Sequence, residues 1–179
     1  MSSHRLNILF LSFVIIATPS AYASDFILKS SEVKNGENIH KKFLADDFGC
    51  QGENVRPNLF WQNPPKGVKS YAISLYDKDA DTGSGFWHWQ LVDIPPASNS
   101  IGMDIPVGAI VKANDTGADN YLGPCPPIGS VHTYTFTIHA LNIDKLEAPA
   151  NSTAPLTGYF INKHTIAKAS LNLRVSRKS

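Results

Sequence analysis

The sequence has little of several features that would assign it to a specialised class of protein. Its 179 residues contain only two cysteines, too few for a zinc ribbon or a disulfide-dense scaffold. The formal net charge is +1, so the basic excess typical of nucleic-acid-binding proteins is missing. No repeat with a period of about 20 to 50 residues occurs. The length allows one ordinary domain with a full core, and the moderate charge content of 17% argues against disorder.

The N-terminal residues have the pattern of a secretory signal peptide. A weakly basic start with Arg5 precedes an apolar run, and Ala21-Tyr22-Ala23 has the small-x-small pattern of a signal-peptidase site. The run of about ten apolar residues is too short to span a bilayer, and no other stretch approaches about 18 apolar residues. We therefore predict a signal peptide over 1–23, a single domain over 24–179, and a periplasmic or secreted protein that does not span the membrane. An uncleaved membrane anchor is the alternative.

The two cysteines are expected to form a disulfide. Export would place Cys50 and Cys125 in an oxidising compartment, where two cysteines commonly pair. A bridge between them would close a loop of about 75 residues and contribute on the order of 4 kcal/mol in the chain-entropy description. Two buried free thiols are the alternative.

Hydrophobic periodicity predicts a mainly β domain. The pattern is clearest over 132–141, where Tyr134, Phe136 and Ile138 alternate with threonines as in a half-buried strand. One segment, 155–170, has a helical pattern. The long connections are rich in Gly, Pro, Asn and Asp, and loops of this length often form sites. The predicted strands cover 26–29, 70–76, 86–94, 109–112, 132–141 and 171–175.

Three clusters of residues have the chemistry of a binding site. Asp77 and Asp79 follow a predicted strand, and His88 lies within an aromatic run. His132 and Tyr134 share one face of their strand, after a stiff loop rich in Gly and Pro. Together these side chains have the donors needed to bind a phosphate or a carboxylate. Each cluster alone also fits a structural role, as a solvated acidic turn or a packed core histidine.

Several motifs, in their order and spacing, resemble those of the phosphatidylethanolamine-binding protein family, also called the Raf kinase inhibitor protein family. The resemblance covers the mature chain and is strongest to the bacterial periplasmic branch. Each motif is modest alone, but the combination is specific. The motifs are Phe48-Gly49-Cys50-Gln51-Gly52-Glu53-Asn54, Arg56-Pro57-Asn58-Leu59-Phe60-Trp61, Tyr76-Asp77-Lys78-Asp79-Ala80, Gly83-Ser84-Gly85-Phe86-Trp87-His88-Trp89, Gly123-Pro124-Cys125-Pro126-Pro127-Ile128-Gly129 with His132 and Tyr134, Leu156-Thr157-Gly158-Tyr159 and Ile166-Ala167-Lys168-Ala169.

The resemblance implies a β-sandwich with a large central sheet, a small second sheet and a few peripheral helices. It also implies a small anion pocket for phosphate or the phosphoethanolamine head group of a lipid, with no cofactor and no resident metal. The residues that it assigns to ligand binding are Asp77, His88, His132 and Tyr134 in the pocket, Asp79 at its edge, and the loop over 124–129, with Pro124, Pro126 and Gly129, as its wall.

The sequence departs from the family pattern in one loop. Where the family has Asp-Pro-Asp-Ala-Pro, this chain reads Asp77-Lys78-Asp79-Ala80-Asp81, so two prolines and their fixed φ angles are absent. A cis bond before Asp81 would cost about 3 kcal/mol in the absence of proline. We therefore expect a rebuilt loop with altered charge at its rim.

Three hypotheses for the function remain open. The leading one is a non-enzymatic binding protein for a small phosphate-bearing ligand or lipid head group, which the family also associates with inhibition or modulation of other proteins. The alternative is a metal-dependent phosphoester hydrolase that uses Asp77, Asp79, His88 and His132 as metal ligands. The third is an interaction protein whose pocket has no ligand. The resemblance also allows a homodimer, and no hypothesis involves nucleic acid.

Overall fold

Eight β-strands, one α-helix and one short 3₁₀ helix form the elements of residues 25–178, the part of the chain that the computed structural model describes. The predicted signal peptide lies outside these residues. The elements are β1 (Ile27–Lys29), the 3₁₀ helix (Lys41–Phe43), β2 (Leu59–Gln62), β3 (Ser70–Asp77), β4 (Phe86–Ile94), β5 (Ser100–Ile101), β6 (Ile110–Lys112), β7 (Val131–Leu141), α1 (Ala154–His164) and β8 (Thr165–Ser176). The described residues contain no helix that is long and apolar enough to cross a membrane.

The strands form two antiparallel sheets, which confirms the predicted mainly β architecture with a large and a small sheet. The large sheet has the strand order β6-β4-β3-β7-β8, and the small sheet has the order β1-β2-β5. Leu75, Trp89 and Phe136 of the large sheet lie in one buried cluster with Leu59 and Trp61 of the small sheet. Burial of these apolar faces against each other provides the main stabilisation of the fold.

The strands that line this core follow their predicted ranges closely. The segments predicted over 70–76, 86–94 and 132–141 agree with β3, β4 and β7 to within one residue at each end. Their alternating or continuous apolar residues are typical of strands with one or two buried faces. Hydrophobic periodicity does not predict β2 and β5 of the small sheet, because strands of four and two residues are too short to show a period.

The helix predicted over 155–170 is wrong in its last six residues, which belong to β8. The helix α1 begins after Thr153, whose side chain caps it by accepting from the backbone N–H of Leu156. It ends at His164, and β8 then pairs with β7 along its whole length. Ala167 and Ala169 favour helices in isolation, but here they pair with Ala140 and Ile138 and pack against the core.

The large sheet brings three strand ends to one place. The strand β3 ends at Asp77, and β4 and β7 both run antiparallel to it. Asp77 is therefore paired with Phe86 at the start of β4 and with Tyr134 near the start of β7. Residues from three distant parts of the sequence meet at this end of the sheet.

Candidate ligand-binding site

A cavity of about 160 Å³ opens at this end of the large sheet. Asp77, His88, His132 and Tyr134 all line it, so four of the residues predicted for ligand binding come together. Each of the four is largely buried, with at most 8% of its surface exposed. Tertiary packing therefore holds polar, titratable side chains in a small space, which is unusual for groups that prefer water.

A β-bulge in β4 places His88 in the cavity. Leu75 pairs with Trp89 and Tyr76 pairs with Trp87, so His88 is an extra residue between the two pairs. Strict alternation along the strand would put His88 on the face opposite to the buried Trp89. The bulge re-aims the imidazole, so that His88 lines the cavity on the same side of the strand as the core residue Trp89.

A hydrogen-bonded pair of Asp77 and His132 forms one wall of the cavity. The carboxylate Oδ2 of Asp77 lies 2.7 Å from Nδ1 of His132, and both side chains are buried. Since a carboxylate accepts hydrogen bonds, Nδ1 of His132 carries the proton of this bond. Nε2 is the ring nitrogen that Asp77 does not contact. The other oxygen of Asp77, Oδ1, accepts the backbone N–H of Asp79 at 2.9 Å. Both carboxylate oxygens are thus engaged, which orients the imidazole rigidly.

His88 occupies the cavity as a neutral imidazole. Its Nδ1 donates to the backbone carbonyl of Leu122 at 3.2 Å, which assigns the proton to Nδ1. Burial lowers the pKa of His88 to about 4, because desolvation penalises the charged form more than the nearby Asp77 favours it. At neutral pH the Nε2 atom of His88 is therefore a hydrogen-bond acceptor.

Tyr134 contributes a phenol that stays protonated. Burial raises the pKa of Tyr134 far above its ordinary value, and the negative charge of Asp77 raises it further. The ring of Tyr134 packs edge-on against that of His88, with centroids 5.0 Å apart. The site therefore offers a fixed O–H group beside two imidazoles.

Asp79 lies beside the cavity instead of lining it. Its Oδ2 accepts the backbone N–H of Thr133 at 2.8 Å, and its Oδ1 pairs with Nζ of Lys78 at 2.7 Å. The loop that carries it has no cis peptide, so the bond before Asp81 is trans, and the described residues contain no cis bond elsewhere. Through its hydrogen bond with Thr133, Asp79 connects the start of β7 to this loop.

The loop over 123–129 meets the cavity through alternate residues. Gly123, Cys125 and Pro127 line it, whereas the predicted Pro124 and Pro126 are buried on the other side of the loop. Gly129 lies further along and donates its backbone N–H to the carbonyl of Arg177 at 2.7 Å. Three residues assigned to the pocket wall are thus supports of the loop and do not belong to the lining.

Several lining residues were missed from the sequence. Phe86 could have been found, because it lies two residues before His88 in the same aromatic run. The other residues come from loops, where no periodicity indicates which side chain faces inward. The missed residues are Phe48, Ala80, Asp81, Phe86, Leu122 and Gly123.

The predicted disulfide between Cys50 and Cys125 is confirmed, with Cα atoms 5.9 Å apart. It joins the loop that carries Phe48 to the loop that carries Cys125, so it connects two walls of the cavity. The guanidinium of Arg177 adds a second connection, because it donates to the carbonyl oxygens of Phe48 at 3.4 Å and Gly49 at 2.6 Å in one loop and to Sγ of Cys125 at 3.5 Å in the other. The two loops are therefore held together covalently and by charge-assisted hydrogen bonds.

The metal-dependent alternative requires Asp77, Asp79, His88 and His132 to converge on one point. Asp77 and His132 instead contact each other, and Asp79 faces Thr133 and Lys78. Within residues 25–178, no group of three or more His, Cys, Asp or Glu side chains has an arrangement that could hold a metal ion. The geometry therefore gives this hypothesis no support.

Comparison with known proteins points to one family. The sequence profile described as phosphatidylethanolamine-binding protein matches residues 29–176. The UPF0098 protein YbcL of Escherichia coli (strain K12) is 40% identical over 163 residues, which cover 86% of this chain and 89% of YbcL. The UPF0098 protein YbhB of the same strain is 33% identical over 156 residues, 83% of this chain and 99% of YbhB. A Mycobacterium tuberculosis protein named as a lipoprotein, LppC, is 33% identical over 138 residues, 76% of this chain and 65% of LppC.

A solved structure is similar over the same region. The crystal structure of Escherichia coli YbcL, described as a new member of the mammalian PEBP family, matches this fold with a TM-score of 0.82 and 37% sequence identity. The match covers 86% of this chain and 99% of that chain. Sequence and fold therefore agree on the same relative over most of both chains.

Proposed function

Because the chain belongs to the phosphatidylethanolamine-binding protein family, we propose that it is an exported, non-enzymatic binding protein for a small phosphate-bearing ligand such as a phosphoethanolamine head group. The observation that carries this proposal is the buried Asp77–His132 pair in the wall of a small cavity. The carboxylate holds the imidazole of His132 in one orientation in the cavity wall, so that its second nitrogen, Nε2, can bind a ligand there.

The other polar groups of the cavity suit the same ligand. Tyr134 has an O–H that can donate to a phosphate oxygen, and the neutral His88 can accept from a protonated phosphate oxygen. A ligand that both donates and accepts hydrogen bonds, as a phosphate monoanion does, matches this combination.

Binding without chemistry is the simplest use of these groups. The single sulfur of the lining belongs to Cys125, which is oxidised in the disulfide and provides no thiolate. The raised pKa of Tyr134 keeps its oxygen protonated and therefore weakly nucleophilic. Among the described residues of the lining, no side chain has the environment of an activated nucleophile.

Titration calorimetry of the protein with O-phosphoethanolamine and with inorganic phosphate between pH 5.5 and 8 tests the binding proposal. We expect the affinity to fall as the pH rises past the second phosphate pKa of about 6, because the ligand then loses the proton that the neutral His88 accepts. His88, with a pKa of about 4, is neutral throughout this range, so its own titration does not contribute to the slope. The variant His132→Gln should bind at least about tenfold more weakly, as expected for the loss of a charge-assisted hydrogen bond.

His164→Gln provides the control, because His164 lies on α1 and does not line the cavity. Circular dichroism would show that both variants are folded. An affinity that rises with pH, or a His132→Gln variant that binds as tightly as the wild type, would contradict the proposal.

The proposal of export rests on the N-terminal signal pattern and gains support from the name of the relative LppC, which describes a lipoprotein. We propose that cleavage after Ala23 releases one domain over 24–179. Intact-mass measurement of the protein recovered from a periplasmic fraction should give a chain that begins at Ser24. A mass that retains residues 1–23 would refute cleavage at this site.

A further inference from the structure

The charged residues that line the cavity are mostly acidic. Asp77 and Asp81 both contribute to the lining, whereas no lysine or arginine of the described residues does so. His88 is neutral, and the charge of Asp77 faces His132. A bare phosphate dianion would therefore enter a site with little positive charge to receive it.

Asp81 is the acidic group that has no partner. The neighbouring Lys78 is 2.7 Å from Asp79, so its ammonium group is already paired. Within residues 25–178, the carboxylate of Asp81 has no ion pair and accepts no hydrogen bond. It is exposed to solvent and lines the cavity, which places it at the mouth.

The loop that carries Asp81 is held by its own hydrogen bonds. Thr82 donates its backbone N–H to the carbonyl of Ala80 at 2.9 Å, and the hydroxyl of Tyr76 donates to the carbonyl of Ser84 at 2.6 Å. Gly85 has a φ of +72°, and a Cβ at this position would collide with the Tyr76 hydroxyl. The backbone around Asp81 is therefore fixed relative to β3.

Building on the proposed function, we propose that Asp81 is a specificity-determining residue that binds the ammonium group of a zwitterionic phosphate ester. The phosphate would lie among the imidazoles and the phenol, and the cationic end would face the carboxylate at the mouth. A ligand of this kind carries its own positive charge into a site that lacks one, whereas Asp81 repels a ligand that is only anionic. Such a ligand could come from two sources, a free phosphoester or a lipid head group, and phosphoethanolamine is the group that both share.

Titration calorimetry of the wild type and Asp81→Asn with three probes tests this inference. The probes are O-phosphoethanolamine, 2-hydroxyethyl phosphate, which replaces the ammonium group by a neutral hydroxyl, and inorganic phosphate. The wild type should prefer O-phosphoethanolamine over 2-hydroxyethyl phosphate by about two- to fivefold, the size of an exposed ion pair. Asp81→Asn should remove this preference and bind the two anionic probes as well as, or better than, the wild type does.

Asp104→Asn is the matched control, because it removes the same charge from an exposed aspartate that does not line the cavity. It should keep the wild-type preference. If Asp81→Asn keeps the preference as well, or weakens all three probes equally, the inference is wrong while the proposed function stands. If the wild type binds none of the three probes, the proposed function is wrong, and the inference that rests on it is wrong as well.

Vesicles distinguish the two sources of the ligand. Phosphatidylglycerol vesicles with and without phosphatidylethanolamine are sedimented with the wild type and with Asp81→Asn. Retention that depends on both phosphatidylethanolamine and Asp81 assigns the ligand to a lipid. Binding of O-phosphoethanolamine without such retention assigns it to a free phosphoester, and both outcomes keep the role of Asp81.

Discussion

His88 and His139 are two buried imidazoles that should make the protein sensitive to acid. Burial lowers the pKa of each to about 4. Above about pH 6.5 the imidazoles are neutral in both the folded and the unfolded chain and do not affect stability. Below this pH the unfolded chain takes up protons that the folded chain refuses, so stability falls with decreasing pH until about pH 4.

We predict that the free energy of unfolding decreases by up to about 3 kcal/mol for each of the two histidines between pH 6.5 and 4. Urea denaturation at half-unit steps of pH measures this slope. In His139→Gln the slope should be about half as steep over the same range. A free energy that is constant between pH 6.5 and 5 would show that the imidazoles are accessible to protons.

At the scale of single residues, the residue type indicated the lining of the cavity better than the position within a loop did. Asp77, His88, His132 and Tyr134 have residue types that need partners when buried, and the structure brings all four to the cavity. Their role in ligand binding stays a prediction. Pro124 and Pro126 also attract attention in the sequence, but the direction of a residue in an irregular loop depends on contacts that no local pattern encodes.

At the scale of the elements, the extra residue in β4 decides the composition of the site. A period of two predicts the direction of each side chain only while the register is unbroken. The register shifts between Leu75 and Tyr76, and His88 reaches the cavity because of that shift. The aromatic run in the sequence predicts the strand, but a run with both faces apolar does not indicate where a bulge lies.

The boundary between α1 and β8 shows a second limit of local patterns. Residues 165–170 alternate between exposed and partly buried positions as β-strand residues do, yet their spacing also fits a helical face. Strand β7 favours the strand conformation of these residues over the helix. Without β8, the backbone N–H and C=O groups along the outer edge of β7 would have no strand partners. Hydrogen bonding along eleven paired positions outweighs the helical preference of two alanines.

At the scale of the whole molecule, the disulfide joins parts of the chain that are 75 residues apart in sequence. We predict that the double variant Cys50→Ser and Cys125→Ser unfolds with a free energy lower by about 2 to 4 kcal/mol, because its unfolded chain regains the entropy of a large loop. Guanidinium denaturation under oxidising conditions measures the difference.

The same variant should keep the fold, since the core between the two sheets does not include the cysteines. Wild-type protein treated with a reductant is the matched comparison and should lose a similar amount of stability. Equal stability of the wild type and the double variant would contradict this prediction. It would mean that the disulfide adds no stability beyond contacts such as those of Arg177.

The sequence alone determined the class of the fold, the strands β3, β4 and β7, the disulfide pair and the family, because these follow from local periodicity, from the number of cysteines and from motifs that are contiguous along the chain. Tertiary structure decided what local patterns could not. The bulge turns His88 inward, the edge of β7 converts residues 165–170 into a strand, and the loop over 79–85 presents Asp81 at the mouth of the cavity. Each of these depends on contacts between residues that are distant in sequence, and such contacts form only when the sheets pack.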